Sequence, residues 1–300
     1  RLPPRSTLFP YTTLFRSDHM GDTELAATWR AQLATTQQAV IHDLWDEEHG
    51  YFHKWHGPVT PERAAEERVE NCFVAQLAGD WLSQLTGLGT TLPEPYPTRA
   101  IEQVIGRHQN SFFPIPPMEV LPDGKLFTAG CYVLQHEPYL GCEAIYKGFV
   151  DDGLETLRRV YLAAWEGNHS PWDQSLSYNA PSGSQGGLIR YMTCPTSYHV
   201  LPALTGCSLD LVSGTLYCAP RVPSYMKTLH VPIFLGAFSG WVDYVPGKSL
   251  KLTVKEVFTE RPITLRQVRI SDDTEAISLP EGFVARSEER RVGKECRSRW

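Results

Sequence analysis

A change of hydrophobic period late in the chain constrains its fold more than any other feature. From Thr23 to about residue 205 the apolar residues recur at helical spacing, and from Leu229 onward they alternate. A chain with period 3.6 and then period 2 cannot be one uniform bundle or one continuous sandwich. Leu25, Trp29, Leu33, Val40, Ile41 and Leu44 predict a first helix over Thr23–Leu44, capped by Asp22 or Thr23, with Tyr51-Phe52 as a short extended arm beyond it. Val74, Leu77, Trp81, Leu85 and Leu88 predict a second helix from about Glu67 to Leu88, stopped by Gly87 and Gly89. Further helices are expected over Pro97–Gln109, Glu137–Phe149, Asp151–Trp165 and Pro195–Thr205. The pairs and triplets Leu229/Val231/Ile233, Leu250/Leu252/Val254, Ile263/Leu265 and Val268/Ile270 read as strands with one wet face. Two polar stretches rich in proline, glycine and serine, 112–130 and 168–187, interrupt the helices as long loops of the kind that line sites. The expectation is a mainly α chain with a small C-terminal antiparallel β appendage.

Charge narrows the partners. The net charge of −6 is unevenly spread: residues 1–17 and 287–300 are basic, so the body between them is strongly acidic. An acidic body argues against a nucleic-acid surface and suits neutral substrates. No apolar run approaches the ~18 residues of a transmembrane helix. The two basic ends lack any period and are expected to be non-native or disordered tails, leaving 18–222 as a helical unit and 223–286 as a β-rich segment. Six cysteines outside the tails form no CxxC pair, so a zinc ribbon or redox motif is unsupported. They read as small buried hydrophobes in a reduced interior, which favours a cytoplasmic setting. His42, His49, His53 and His56 do not have the spacing of a known metal site, and no phosphate-binding, serine-hydrolase or calcium loop is present. No metal or cofactor is expected.

Several blocks carry a family resemblance. LWDEEHGYF (44–52), ENCFVAQLAGDWLSQLTGLG (70–89), LPDGK (121–125), EPYLGCEAIYKGFVDDGLETL (137–157) and RYM (190–192) together resemble the C-terminal half of the catalytic region of glycoside hydrolase family 116, the family of glucosylceramidase-like and β-glucosidase-like enzymes. The resemblance covers roughly 20–275 and implies part of an (α/α)6 toroid around a sugar pocket. It also implies retaining hydrolysis of β-linked sugars by a nucleophile and a general acid/base. Such chemistry needs two carboxyl groups roughly 5 Å apart, one to protonate the leaving oxygen and one to capture the oxocarbenium-like centre. In the family the nucleophile lies upstream of the segment matched here, and an Asp acid precedes the Gln of the AQLAGDW block. This chain has Ala75 at that position, and a methyl group donates no proton.

Glu70, five positions earlier, and Glu137, at the position of the Glu in the family's EVW motif, are the candidate catalytic carboxylates. Asp80 replaces a family Gln and is expected on another helix face. Tyr139 stands where the family has the motif's Trp. Trp172, Asp173, Tyr178, Asn179 and Arg190, on or beside the second polar loop, are the candidate sugar-binding residues: aromatic faces stack on pyranose C–H faces, while Asp, Asn and Arg bond paired hydroxyls. Two functions follow as expectations. One is a fragment of a glycosidase acting on β-linked sugars, inactive alone; the other is a carbohydrate-binding homologue that has lost its acid. Oligomeric state is left open.

Overall fold

The structure is a computed structural model and describes residues 16–54, 70–109, 114–128, 130–131, 133–169, 173–189, 198–259, 262–270, 277–279 and 284–285. The architecture is mixed α/β, which corrects the expectation of a mainly α chain and of a partial toroid: six small sheets run through the described residues, many of them between the helices. The strands missed by periodicity are two to five residues long, too short for alternation to register.

Helix α1 (Thr23–Leu44) has the expected bounds, and Asp22 caps it by accepting from the Leu25 amide at 3.1 Å. Strands β1 (Trp45–Asp46) and β2 (Tyr51–Phe52) then form a hairpin that turns at Gly50, whose φ of 75° favours glycine. Strand β3 (Cys72–Phe73) follows, and helix α2 covers only Ala78–Leu85. The expected second helix is therefore shortened at its start. Val74 and Leu77 are buried as its period required, but through a turn behind β3. Gln76 is diverted into that turn, its Oε1 accepting from the Phe52 amide at 2.7 Å and its Nε2 donating to Phe73 O at 3.0 Å. Such side-chain bonds to backbone compete with helix formation.

Helix α3 (Tyr96–Gln109) is followed by β4 (Glu119–Val120) and β5 (Leu126–Thr128), which with β3 make a three-stranded sheet whose hairpin tip is LPDGK. Strand β6 (Gly130–Cys131) precedes α4 (Val133–Tyr146) and α5 (Val150–Tyr161), and α5 continues into a π-helical turn over Leu162–Gly167. Strands β7 (Ser175–Asn179) and β8 (Gln185–Ile189) form a hairpin, so from residue 175 on the second polar stretch is a sheet rather than a loop. Helix α6 (Val200–Thr205) ends at Gly206 in the left-handed region.

The C-terminal part is all β. Strands β9 (Ser208–Asp210) and β10 (Thr215–Tyr217) pair with each other. After the meander β11 (Leu229–Phe234), β12 (Phe238–Val245) and β13 (Ser249–Val257), and the short β14 (Ile263–Thr264), strand β15 (Gln267–Arg269) runs parallel to β10. β16 (Ile277–Ser278) and β17 (Val284–Ala285) add short antiparallel pairs. Alternation in β11 buries Leu229, Val231 and Ile233 as expected, and these strands and β9–β10 share one core around Phe238, Val242, Leu216 and Leu265. A second core joins the β1–β2 hairpin, β3, β4, α3 and α4. A third packs α2, α4, α5 and α6 around Trp81, Cys142 and Ile145.

Candidate functional site

Two of the sequence blocks meet at Arg107 of α3, and a third joins them through Tyr51. Its guanidinium lies 4.9 Å over the Tyr51 ring, and its Nε donates to Pro122 O of the LPDGK turn at 3.0 Å. The Tyr51 hydroxyl donates to the Glu70 carbonyl at 2.6 Å, which fastens the β1–β2 arm to the start of the AQLAG block. Beside this knot, buried Glu119 of β4 accepts on Oε2 from Lys54 Nζ at 2.7 Å and from Asn71 Nδ2 at 3.2 Å. His108 is fully buried between two carbonyls, with Nδ1 2.8 Å from Pro117 O and Nε2 3.3 Å from Cys72 O; desolvation pushes its pKa down to about 4, so the ring is neutral. The loop histidines His49 and His53 both engage Asp46 Oδ2, at 2.6 and 3.0 Å. Burial raises the pKa of Asp46, but the bonds from His49 and His53 outweigh it and hold the carboxyl below its ordinary value.

An open cleft of about 560 Å³ lies between the end of α5, its π-turn and the β7–β8 hairpin. Pro114 comes from the first polar stretch, Asn168, Ser182, Gly183 and Ser184 from the second, and Arg158 and Arg159 from α5. Both arginines grip Glu155: Arg158 Nε and Nη2 donate at 2.6 and 2.9 Å, and Arg159 Nε donates at 3.0 Å. The bond from Arg158, helped by that from Arg159, outweighs burial, which pushes the other way, and holds Glu155 below the ordinary carboxylate range. Asn168 ties the wall together, its Nδ2 donating to Ala163 O at 2.6 Å and Gly183 O at 2.7 Å, and its Oδ1 accepting from the Gln185 amide at 3.1 Å. On the same helix, the half-exposed rings of Tyr161 and Trp165 stack 5.8 Å apart at 24°. Neither ring is among the cleft-lining residues, which on this helix include Arg158, Arg159, Leu162 and Ala163. The π-turn that carries Trp165 is a rare geometry, and such turns recur at functional sites.

The one carboxyl among the described residues that is pushed far up is elsewhere. Glu143 of α4 is 1% exposed; burial, then the charge of neighbouring Asp80, raises it well above the ordinary value. Asp80 is held ionised by its bond from Glu143, by Lys147 at 3.1 Å and by Thr91, all of which outweigh its burial. This pair ties α2 to α4 inside the third core.

The sequence candidates are scattered. Glu70 is half-buried at the Tyr51 contact, and Ala75 sits in the turn before α2, packed on the core that includes Tyr51 and Val104. Tyr139 stacks on Trp81 with centroids 4.5 Å apart, which makes it part of the α2–α4 packing. Tyr178 is 1% exposed and packs on Ile115, Val160, Ala163 and Ala180. Asn179 caps the β7–β8 turn, its Oδ1 accepting from the Ser182 amide at 3.1 Å, and Asp173 is exposed and not among the cleft-lining residues. Trp172, Arg190 and the Glu137 side chain lie outside the described residues. The sequence reasoning missed Arg107, Arg158, Arg159 and Asn168. Asn168 was within the loop singled out, whereas arginines on helix faces give no signal of their own.

No protein-family model and no curated protein matches the chain. A solved structure titled "Putative kojibiose phosphorylase from human microbiome" is similar to it at 9% identity, with a TM-score of 0.37, over 79% of this chain and 31% of that one. The chain thus spans about a third of that structure's length. Among the described residues no helix is long and apolar enough to cross a membrane.

Proposed function

We propose that this chain is the saccharide-binding portion of a carbohydrate-active protein of the glycoside hydrolase family 116 type, and that the cleft beside the π-turn holds a neutral β-linked sugar. The observation that carries the reading is that the two polar stretches which stand out in the sequence both contribute walls to one cleft of sugar-binding size. Its equipment suits a saccharide. Planar guanidinium forks already oriented by Glu155 and serine hydroxyls offer donors and acceptors to ring hydroxyls, with the Asn168 amide bracing the wall behind them. The stacked Tyr161–Trp165 pair offers an apolar platform on the same helix.

Binding without acid catalysis is the reading this chemistry favours for the chain on its own. Glu155 is the carboxyl lining the cleft, and as an ionised, arginine-held group it cannot protonate a leaving oxygen near neutral pH. Glu143 would be protonated but is sealed inside a core, and position 75 has a methyl group.

Titration with cellobiose, followed by tryptophan fluorescence and calorimetry, tests the proposal. The expected result is saturable binding that Trp165→Ala or Arg158→Ala weakens about tenfold or more. Absence of binding, or binding indifferent to both substitutions, would reject the cleft. Incubation with methyl β-glucoside is expected to release no glucose, and measurable turnover would reject the non-catalytic reading.

A further inference from the structure

Cys207 and Cys218 face each other across the β9–β10 hairpin. The register Tyr217↔Ser208 continues outward by one step to this pair, and the two Sγ atoms are 3.0 Å apart. We propose that Cys207 and Cys218 form a redox-active dithiol that closes to a cross-strand disulfide under peroxide, stapling the end of α6 to the C-terminal β core.

The geometry is that of a bond waiting to close. Directly opposed antiparallel positions place Cα atoms roughly 4.5–5.5 Å apart, inside the span that a disulfide tolerates. The sulfurs need to approach by about 1 Å to reach bonding distance. Both residues are nearly sealed, at 4% and 2% exposure, so the thiols lie in a fixed pair rather than on mobile surface chain. Neither of the other two described free cysteines belongs to this core: Cys72 lies among the β1–β4 residues and Cys142 beside Trp81. Cys207 follows Gly206, whose left-handed backbone lies against the Ala219 carbonyl, and this close approach fixes the two segments side by side.

Access comes from a cleft of about 390 Å³ that Cys218 lines together with Gly206, Tyr217, Arg221 and Arg269. A small neutral peroxide fits such an opening. In the first step the Cys218 sulfur attacks one peroxide oxygen: an S–O bond forms, the O–O bond breaks, and hydroxide leaves and takes up the thiol proton as water. In the second the Cys207 sulfur attacks that sulfur: the S–S bond forms, the S–O bond breaks, and a second water leaves. Two thiols are oxidised by two electrons and one hydrogen peroxide is reduced. The bond from Cys207, together with burial, holds the Cys218 thiol well above its usual value. Thiolate is scarce at neutral pH, so closure speeds up as pH rises.

The test uses the whole chain, reduced and then treated with hydrogen peroxide at pH 7 and pH 9. Remaining thiols are alkylated in denaturant and the protein is cut at Asp210, which separates the two cysteines. The expected result is two fragments held together until a reductant is added, forming severalfold faster at pH 9, with a thermal midpoint on the order of 5 °C higher than in the reduced chain. Cys142→Ser keeps the linkage and Cys218→Ser loses it. The proposal is overturned if Cys207 and Cys218 are both alkylated after peroxide treatment, or if either is found bonded to another cysteine. The mapping needs only the wild-type chain, so it decides the matter even if Cys218→Ser fails to fold.

Discussion

Lys147 has a side chain only 5% exposed, yet it faces Asp80 and Glu94 at 3.1 Å and Glu143 at 3.9 Å. Burial opposes its charge, but the Asp80 carboxylate, with the bond to Glu94, outweighs that and raises its pKa. One cation faces one ionised carboxylate beside a protonated carboxyl; removing the cation leaves Asp80 charged without a counter-ion in a core. Lys147→Met is therefore expected to destabilise the fold by about 3–5 kcal/mol in urea unfolding. Glu143→Gln has the opposite character. Its amide still donates to Asp80, and it removes a proton that the folded state must hold while the unfolded state releases it above the ordinary glutamate range. Wild-type stability should thus fall relative to Glu143→Gln as pH rises above the ordinary glutamate range; parallel urea midpoints there would refute the assignment.

At the scale of elements, α4 and α5 meet backbone to backbone at two glycines. A Cβ on Gly153 would overlap the Gly141 carbonyl oxygen and stand 2.8 Å from Ile145 Cγ1. Gly153→Ala should force the helices apart at a cost of roughly 1–3 kcal/mol. Gly106, within α3, has nothing within 4 Å of a built Cβ, so Gly106→Ala should stabilise by about 0.5–1 kcal/mol. Thermal melts of the two variants should shift in opposite directions. Helices were legible where one face stayed apolar for three turns or more: α1 and α3 have the expected bounds to within a residue. Legibility failed at residues 70–77, where Val74 and Leu77 kept helical spacing but Cys72 pairs with Val120, and at 173–187, where polar residues form a hairpin. The β3–β4 and β6–β7 pairings join residues tens of positions apart, which local spacing does not encode.

For the whole molecule, acid is the condition that should loosen the second core. His108 holds α3 against the β3–β4 sheet as a neutral ring. Its pKa of about 4 lies below the ordinary value near 6.5, so unfolded chains take up a proton that the folded state excludes. Its contribution is complete above pH 6.5 and is lost as pH falls toward 4. The slope of unfolding free energy against pH in that window should flatten in His108→Gln, which keeps a donor without titrating. An unchanged slope would place the acid sensitivity elsewhere.

Taken by itself, the sequence determined the bounds of α1 and α3, the buried side of β11, the acidic body and the absence of an acid at position 75. These are properties of spacing and composition, fixed by the chain's own periods. Only the tertiary structure decided that short strands thread the helical part, that Tyr139 and Tyr178 are core residues, and that Arg158, Arg159 and Asn168 share a cleft with Pro114. It also decided that Cys207 meets Cys218. Contacts of this kind depend on how separate segments pack and pair, and a single-sequence period carries no term for the distance between two segments.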